Sequence, residues 1–467
     1  MQKISDYTVQ AANQYIQEHA LSSSELPYHP SFHITAPVGW INDPNGLVYF
    51  RGEYHAFFQF YPYESEWGPM HWGHVKSKDL VHWEHLPTAL APEYEYEKGG
   101  CFSGSAVVQD DKLYLIYTGH NAERSPKEVQ CVAVSEDGVT FEKLASNPVV
   151  VAPPAKGSED FRDPKVTLID GTWHMIVGTC KDGIGKAVYY TSDNLEDWTY
   201  GGVLLESNGS QGTMWECPDF FSLDGYDILI YSPMELENSK TRYILGQWDK
   251  ENNRFETIHE DEIDVGPDFY APQTFEDGQG RRLLIGWMNM WEKAFIEKEE
   301  GWAGALTMPR ELRIVDEKLH MQVPKEWKNL QKKEIFQFEK KTLKEETEVS
   351  FDFTTIVLET TLDRETAFQL DISSSPEDTL SLAYQDGELT VDRSGMKKGD
   401  KDVTRLAVPD SETVQIDAYI DHSSLELFIN GGEKAATFRV YFEKQGVTLK
   451  SRKAANFHSF SIQKLEK

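Results

Sequence analysis

The feature that most constrains this chain is a repeat. A strand-like run introduced by a turn occurs five times: GEYHAFFQF from Gly52, DKLYLIYTG from Asp111, GTWHMIVGT from Gly171, GYDILIYSP from Gly225 and GRRLLIGWM from Gly280. The steps are 59, 60, 54 and 55 residues. A second phrase, SKDLVHW from Ser77, SEDGVTF from Ser135 and SDNLEDW from Ser192, recurs at steps of 58 and 57. Two phrases sharing one period, in units long enough for several strands, predict a β-propeller, and five units predict five blades.

A third phrase places a proline seven or eight residues before four of those runs: Asp43-Pro44, Asp163-Pro164, Cys217-Pro218 and Ala271-Pro272. Ser103-Gly104 takes the place in the second unit. Proline cannot donate to a central ladder, so these segments belong at strand ends or on the inner edge. The innermost strand of each blade lines the axial channel. Asp43, Ser103, Asp163, Glu216 and Tyr270 are therefore expected to face one another across its mouth.

The fold class read this way is all-β, a five-bladed β-propeller followed by a C-terminal β-sandwich. Residues 1–31 form an N-terminal extension with a helix over 5–20, and 32–323 form the propeller. Residues 324–348, rich in Lys and Glu, read as a linker with some helix, and 349–467 as the sandwich. Asp386-Gly387 and Asn430-Gly431-Gly432 mark hairpin turns in that last region. It holds no convergent carboxylates, histidines or cysteines and is assigned no chemistry.

Composition excludes some partners. Lys and Arg number 46 and Asp and Glu 77, a net charge of −31. Nucleic acid and anionic membrane need clustered cations, so neither is expected as a partner. No apolar run reaches the roughly 18 residues of a membrane helix. MQKISDYTVQ lacks a leader's apolar stretch, and Cys101, Cys131, Cys180 and Cys217 form no CxxC pair. The expectation is a cytoplasmic protein with reduced thiols.

Three carboxylates in repeat phase, Asp43, Asp163 and Glu216, suit glycoside hydrolysis, which needs a paired nucleophile and acid/base. The alternative is that they cap strand ends. Trp40, Trp67, Trp72, Trp215, Trp287 and Trp302 lie in or near the same segments, with the amides of Asn42, Asn45 and Gln59. Flat rings and planar amides suit sugars, although propellers also use Trp as blade core. His33, His55, His71, His74, His82 and His85 could suggest a metal, but strand alternation would put several on opposite faces. No metal or cofactor is expected. Nothing in sequence pairs Cys217 with a base, so it is not read as a nucleophile.

The words around these residues are specific. Trp40-Ile41-Asn42-Asp43-Pro44-Asn45-Gly46 resembles the signature of the β-fructofuranosidases of glycoside hydrolase family 32. Phe161-Arg162-Asp163-Pro164 and Trp215-Glu216-Cys217-Pro218-Asp219 resemble that family's other two hallmarks. Phe58-Gln59, the run Trp67–His74, Phe102–Ser105, Phe269–Gln273 and Leu306–Arg310 match in order. The resemblance implies Asp43 as nucleophile, Glu216 as general acid and then base, and Asp163 as the carboxylate that binds fructosyl hydroxyls. Asp43 must stay ionised, while Glu216 must hold a proton near neutral pH, which nearby like charges would assist. A retaining reaction implies Asp43 and Glu216 carboxyls roughly 5–5.5 Å apart. It also implies that Trp40, Asn42, Gln59, Trp67, Phe102, Ser103, Arg162, Tyr270 and Trp287 surround the sugar. Arg162 has a second reading, as the residue that orients a carboxylate.

The implied substrate is sucrose or a short fructo-oligosaccharide, with sucrose 6-phosphate as the alternative. A phosphate would call for cations such as Lys181, Lys186, Arg242 or Lys293 near the outer subsite. The aromatic, acidic segment Trp287–Trp302 would disfavour it if that segment borders the cleft. Sialidase-like, inverting arabinanase-like and non-catalytic sugar-binding propellers are the competing classes. The sandwich is a candidate homodimer surface.

Overall fold

The computed structural model describes residues 6–22, 26–236, 240–343, 347–350, 355–375, 377–442, 446–450 and 455–466. Residue 5 of the expected helix and residues 351–354 of the first expected sandwich run lie outside them.

Five sheets follow one another along the chain, each built from consecutive antiparallel strands. Blade I comprises Gly39–Phe50, Glu53–Tyr61, His71–Ser77 and Trp83–Leu90; blade II, Gly100–Gln109, Lys112–His120, Glu128–Ser135 and Glu142–Lys143. Blade III comprises Phe161–Ile169, Thr172–Lys181, Ile184–Ser192 and Thr199–Glu206; blade IV, Trp215–Leu223, Tyr226–Pro233, Arg242–Asp249 and Arg254–Glu262. Blade V comprises Tyr270–Glu276, Arg282–Trp287, Arg310–Val315 and Lys318–Gln322. The first strand of each blade packs beside the first strand of the next, and the fifth packs on the first. The repeated runs are the second strands, apolar because both faces are covered by neighbouring blades. Trp302–Ala303 joins the edge of blade I in parallel beside Gly39 and Trp40, which ties the end of the ring to its start.

The second repeated phrase is a turn between third and fourth strands. Asp79 Oδ1 accepts from the N–H groups of Val81 and His82 at 3.0 and 2.8 Å. Asp137 and Asn194 do the same for Val139 with Thr140 and for Glu196 with Asp197. Such side-chain-to-backbone bonds define Asx-type turns, so the phrase marks turn chemistry in three blades.

The helix Val9–His19 begins at Thr8, whose hydroxyl accepts from Ala11 N at 3.0 Å. Ile16 packs on the core of blade I, and Asn13 accepts from Thr88 N at 2.9 Å.

The sandwich has two six-stranded sheets around one apolar core. The stretch 324–348, expected as a linker, departs from that reading. It holds a short helix, Lys325–Lys328, and then Lys332–Leu343, the edge strand of the first sheet. Its lysines disguise it, because charged residues are how edge strands resist pairing with other chains. A second apolar cluster joins propeller and sandwich, with Met308, Leu312 and Met321 on one side and Val357, Tyr419 and Phe428 on the other. No helix among the described residues is long and apolar enough to cross a membrane.

Candidate active site

The site is made by a bulge repeated in every blade. Pairing of first with second strands breaks register between Ile41 and Pro44, Phe102 and Gly104, Glu216 and Asp219, and Tyr270 and Gln273, and opposite Ile176 and Gly178 in blade III. The prolines therefore sit inside the strands, at bulges on the channel edge, rather than at strand ends. A bulge releases one residue from the ladder, so the missing proline N–H leaves no gap. Asp163, Cys217 and Ala271, each before a proline, adopt left-handed φ values of 65, 47 and 48°. A residue with a Cβ pays about 1–2 kcal/mol for that conformation. The same strain at the same phase in three blades points to function.

The bulges gather the predicted residues. Ser103 donates to Asp43 Oδ2 at 2.6 Å, and Asn42 Nδ2 donates to Asp43 Oδ1 at 3.1 Å. The Cys217 N–H donates to Asp163 Oδ2 at 2.8 Å. Its thiol sits between the two aspartates, 3.5 Å from each Oδ2. Arg162 donates to Glu216 Oε1 from Nη2 at 2.8 Å and from Nε at 3.2 Å. Tyr270 OH donates to Glu216 Oε2 at 2.6 Å. The nearest partners of Glu216 are thus a cation and a hydroxyl rather than another carboxylate.

Burial dominates the electrostatics. It pushes the Asp163 carboxyl up to about 7, with the charges of Glu216 and Asp43 adding to the rise, while Arg162 and the Cys217 N–H oppose it. Burial also pushes Asp43 up, against the donors Ser103, Asn42 and Cys217. The Cys217 thiol is pushed well up by burial and by the three carboxylates, so it is a neutral donor and not a thiolate. Burial and Glu216 likewise keep the Tyr270 phenol protonated.

Several predicted neighbours line this group at different depths. Trp40 donates from its indole to Asn42 Oδ1 at 2.8 Å, and Gln59 Nε2 donates to Cys101 O at 2.9 Å. Phe102 lies flat on His120, with centroids 4.2 Å apart, and meets Trp67 edge-on. Trp67 is the exposed member, at 48%. Trp287 is fully buried and packs in one cluster with Trp40, Tyr270 and Cys217, so it backs the pocket instead of presenting a face. Trp72, Trp215 and Trp302 are fully buried core.

Glu128 escaped sequence reasoning. It accepts from Phe161 N at 2.6 Å and pairs with Arg162 at 3.3 Å and with His120 at 3.4 Å. Burial works against its charge, but His120, Arg162 and the Phe161 N–H hold the carboxyl below its usual range. It lies on a third strand, where the repeat carries no polar signature. Arg162 thereby spans Glu128 and Glu216.

A closed ring of five blades with three acidic groups gathered at its mouth, two of them buried, defines a propeller-type glycoside hydrolase. The glycosyl hydrolases family 32 N-terminal domain matches residues 33–324, and the family 32 C-terminal domain matches 320–464. The chain belongs to this family. It is 38% identical over 459 residues to the sucrose-6-phosphate hydrolase of Zymomonas mobilis, covering 90% of this chain and 87% of that one. It is 38% identical over 437 residues to the raffinose invertase of Escherichia coli, covering 89% and 90%. It superposes on the Bombyx mori GH32 beta-fructofuranosidase BmSUC1 with a TM-score of 0.87 at 36% identity, covering 98% of each chain.

Proposed function

We propose that the protein is a retaining β-fructofuranosidase that removes the terminal non-reducing fructosyl unit of sucrose and short fructo-oligosaccharides. The observation that carries this reading is the convergence of Asp43, Asp163 and Glu216 at one channel mouth, with a single thiol bridging the two aspartates. Asp43 attacks the anomeric carbon while Glu216 gives a proton to the leaving oxygen. A fructosyl–Asp43 ester results, and Glu216 then takes a proton from the water that hydrolyses it. Ser103 and Asn42 orient Asp43. Arg162 and Tyr270 hold Glu216. Asp163 binds fructosyl hydroxyls and stabilises positive charge at the anomeric carbon. With Asp163 pushed up to about 7 by burial, its own carboxyl is part-protonated near neutral pH.

A neutral leaving group is favoured by the state of three of the four candidate cations; the fourth, Lys181, is exposed. Lys186 pairs with Glu206 at 3.0 Å, Arg242 with Glu260 at 2.9 Å, and Lys293 with Asp402 at 3.4 Å. A phosphate would have to displace these carboxylates. The second reading, sucrose 6-phosphate, is favoured by the name of the Zymomonas mobilis relative, whereas a BmSUC1 mutant was solved with sucrose. Four unpaired cysteines suit a cytoplasmic setting. The test is kcat/KM for sucrose, sucrose 6-phosphate and 1-kestose, with Asp43→Asn as blank. Equal or better cleavage of sucrose and kestose is expected. A strong preference for the phosphate ester would replace this substrate with the second reading.

A further inference from the structure

Connections between second and third strands lie at the mouth end of each blade. They run to 9, 7, 2 and 8 residues in blades I to IV, but to 22 in blade V, residues 288–309. The blade V crossing carries two rings against the pocket wall. Trp291 lies nearly parallel to Trp40, with centroids 6.1 Å apart and planes at 17°, and 4.9 Å from Trp287. Phe295 packs on Trp40 at 4.7 Å. Trp40 leads through Asn42 to Asp43. Trp291 is nevertheless 45% exposed, and Trp67, on the equivalent crossing of blade I, is 48% exposed. Half-bare indoles beside a polar pocket are flat apolar faces of the kind ligand sites use.

Blade V does not hold this crossing alone. Glu297, fully buried, is gripped by two residues of the sandwich: Arg439 Nη2 donates to Oε1 and Tyr441 OH to Oε2, both at 2.7 Å. Lys293 reaches Asp402 and Asp400 of the sandwich at 3.4 and 3.7 Å. On the other side Lys298 lies 5.2 Å over the Trp40 ring and bonds Glu66, next to Trp67, at 2.7 Å. Ser65 donates to Lys298 O at 3.2 Å. A carboxylate with each oxygen on a different sandwich residue fixes both place and orientation.

We propose that the β-sandwich is a positioning part of the active site: Arg439 and Tyr441 set residues 288–301 through Glu297, so that Trp291 forms the wall for the leaving sugar ring opposite Trp67. This rests on the β-fructofuranosidase reading. The leaving ring stacks on Trp291, while the fructosyl unit is held deeper, by the residues around Asp43. Loss of the wall therefore weakens binding of substrates with a large leaving group more than of those with a small one.

The test compares sucrose with methyl β-D-fructofuranoside on the full chain. Trp291→Ala should lower the ratio of their kcat/KM values about tenfold, mainly through KM for sucrose. Trp291→Phe, which keeps a flat face, should bring the ratio back to within about threefold of wild type. Tyr441→Phe removes one grip without opening a cavity and should lower the ratio about threefold, again through KM for sucrose, while kcat/KM for methyl β-D-fructofuranoside stays within about twofold of wild type. A ratio unchanged in Trp291→Ala, or a parallel fall for both substrates, would overturn the proposal while leaving the β-fructofuranosidase reading intact. A wild-type chain that cleaves neither substrate would instead remove the reading on which it rests.

Discussion

The channel mouth and the seam between propeller and sandwich bury charge in opposite ways. At the mouth, burial and the neighbouring carboxylates push Asp43 and Asp163 up, and of the three only Glu216 pairs with a cation, Arg162. At the seam, buried charges meet their opposites. Arg310 joins Asp264 and Glu426 at 2.7 Å each, and Arg393 joins Asp268 at 2.6 Å and Asp402 at 2.7 Å. His33 bridges Asp421 and Glu426 at 3.0 and 2.9 Å. Paired buried charges contribute little net stability against apolar packing, but removing one partner is costly, so they fix how two bodies dock. Buried like charges have no such structural use. Together with left-handed strain at Asp163 and Cys217, they mark a place where the fold gives up stability for chemistry.

Four substitutions test that contrast. The largest effect is expected for Asp43→Asn, which should lower turnover of sucrose by roughly 10⁴-fold or more while the melting temperature stays level or rises. Turnover within tenfold of wild type would remove Asp43 from the mechanism. Asp163→Asn should cost roughly 10³-fold in kcat, because its contacts strengthen in the transition state.

The same variant has a pH signature. An unfolded Asp titrates near about 3.9, whereas burial pushes Asp163 to about 7. The fold favours its neutral form, a contribution complete below about 3.9 and lost as pH rises. Asp163→Asn should therefore gain stability relative to wild type between pH 5 and pH 8, read by thermal melts. A gain on going to lower pH would reverse the sign and contradict the burial argument.

The seam should fail in the other direction. Arg310→Met leaves Asp264 and Glu426 buried without their cation and should cost about 3–5 kcal/mol in a denaturant titration. The protein that remains folded should keep kcat within about threefold of wild type, since Arg310 touches none of the three mouth carboxylates. Smallest is His33→Gln. Asp421 and Glu426 outweigh burial and push the His33 imidazole up to about 9. Its contribution to stability is full below about 6.5 and lost as pH rises through the folded value. Wild type should thus lose melting temperature between pH 7 and pH 10 more steeply than His33→Gln. Parallel curves would show that the bridge does not titrate as described.

The two regions also differed in legibility. Blades are built from consecutive strands, so their period is written locally, and the X-Pro phrases record the bulges that aim Asp43, Asp163 and Glu216. The seam is built from residues far apart in sequence. His33 and Asp421 are separated by 388 positions and Arg310 and Glu426 by 116, and no local pattern pairs them. The strand Lys332–Leu343 read as a linker because an exposed edge is written in lysine and glutamate. Trp287 stood in phase with the site, but phase reports a place along a blade, not depth, and its ring is buried behind Trp40.

The most direct measurement is the anomer formed when the enzyme cleaves sucrose in the presence of methanol, followed by NMR. Wild type should transfer fructosyl to methanol as methyl β-D-fructofuranoside, the product of two inversions at the anomeric carbon, and Asp43→Asn should form none. The α-anomer, or β-anomer still formed by Asp43→Asn, would contradict a covalent intermediate on Asp43 and the assignment of the three mouth carboxylates.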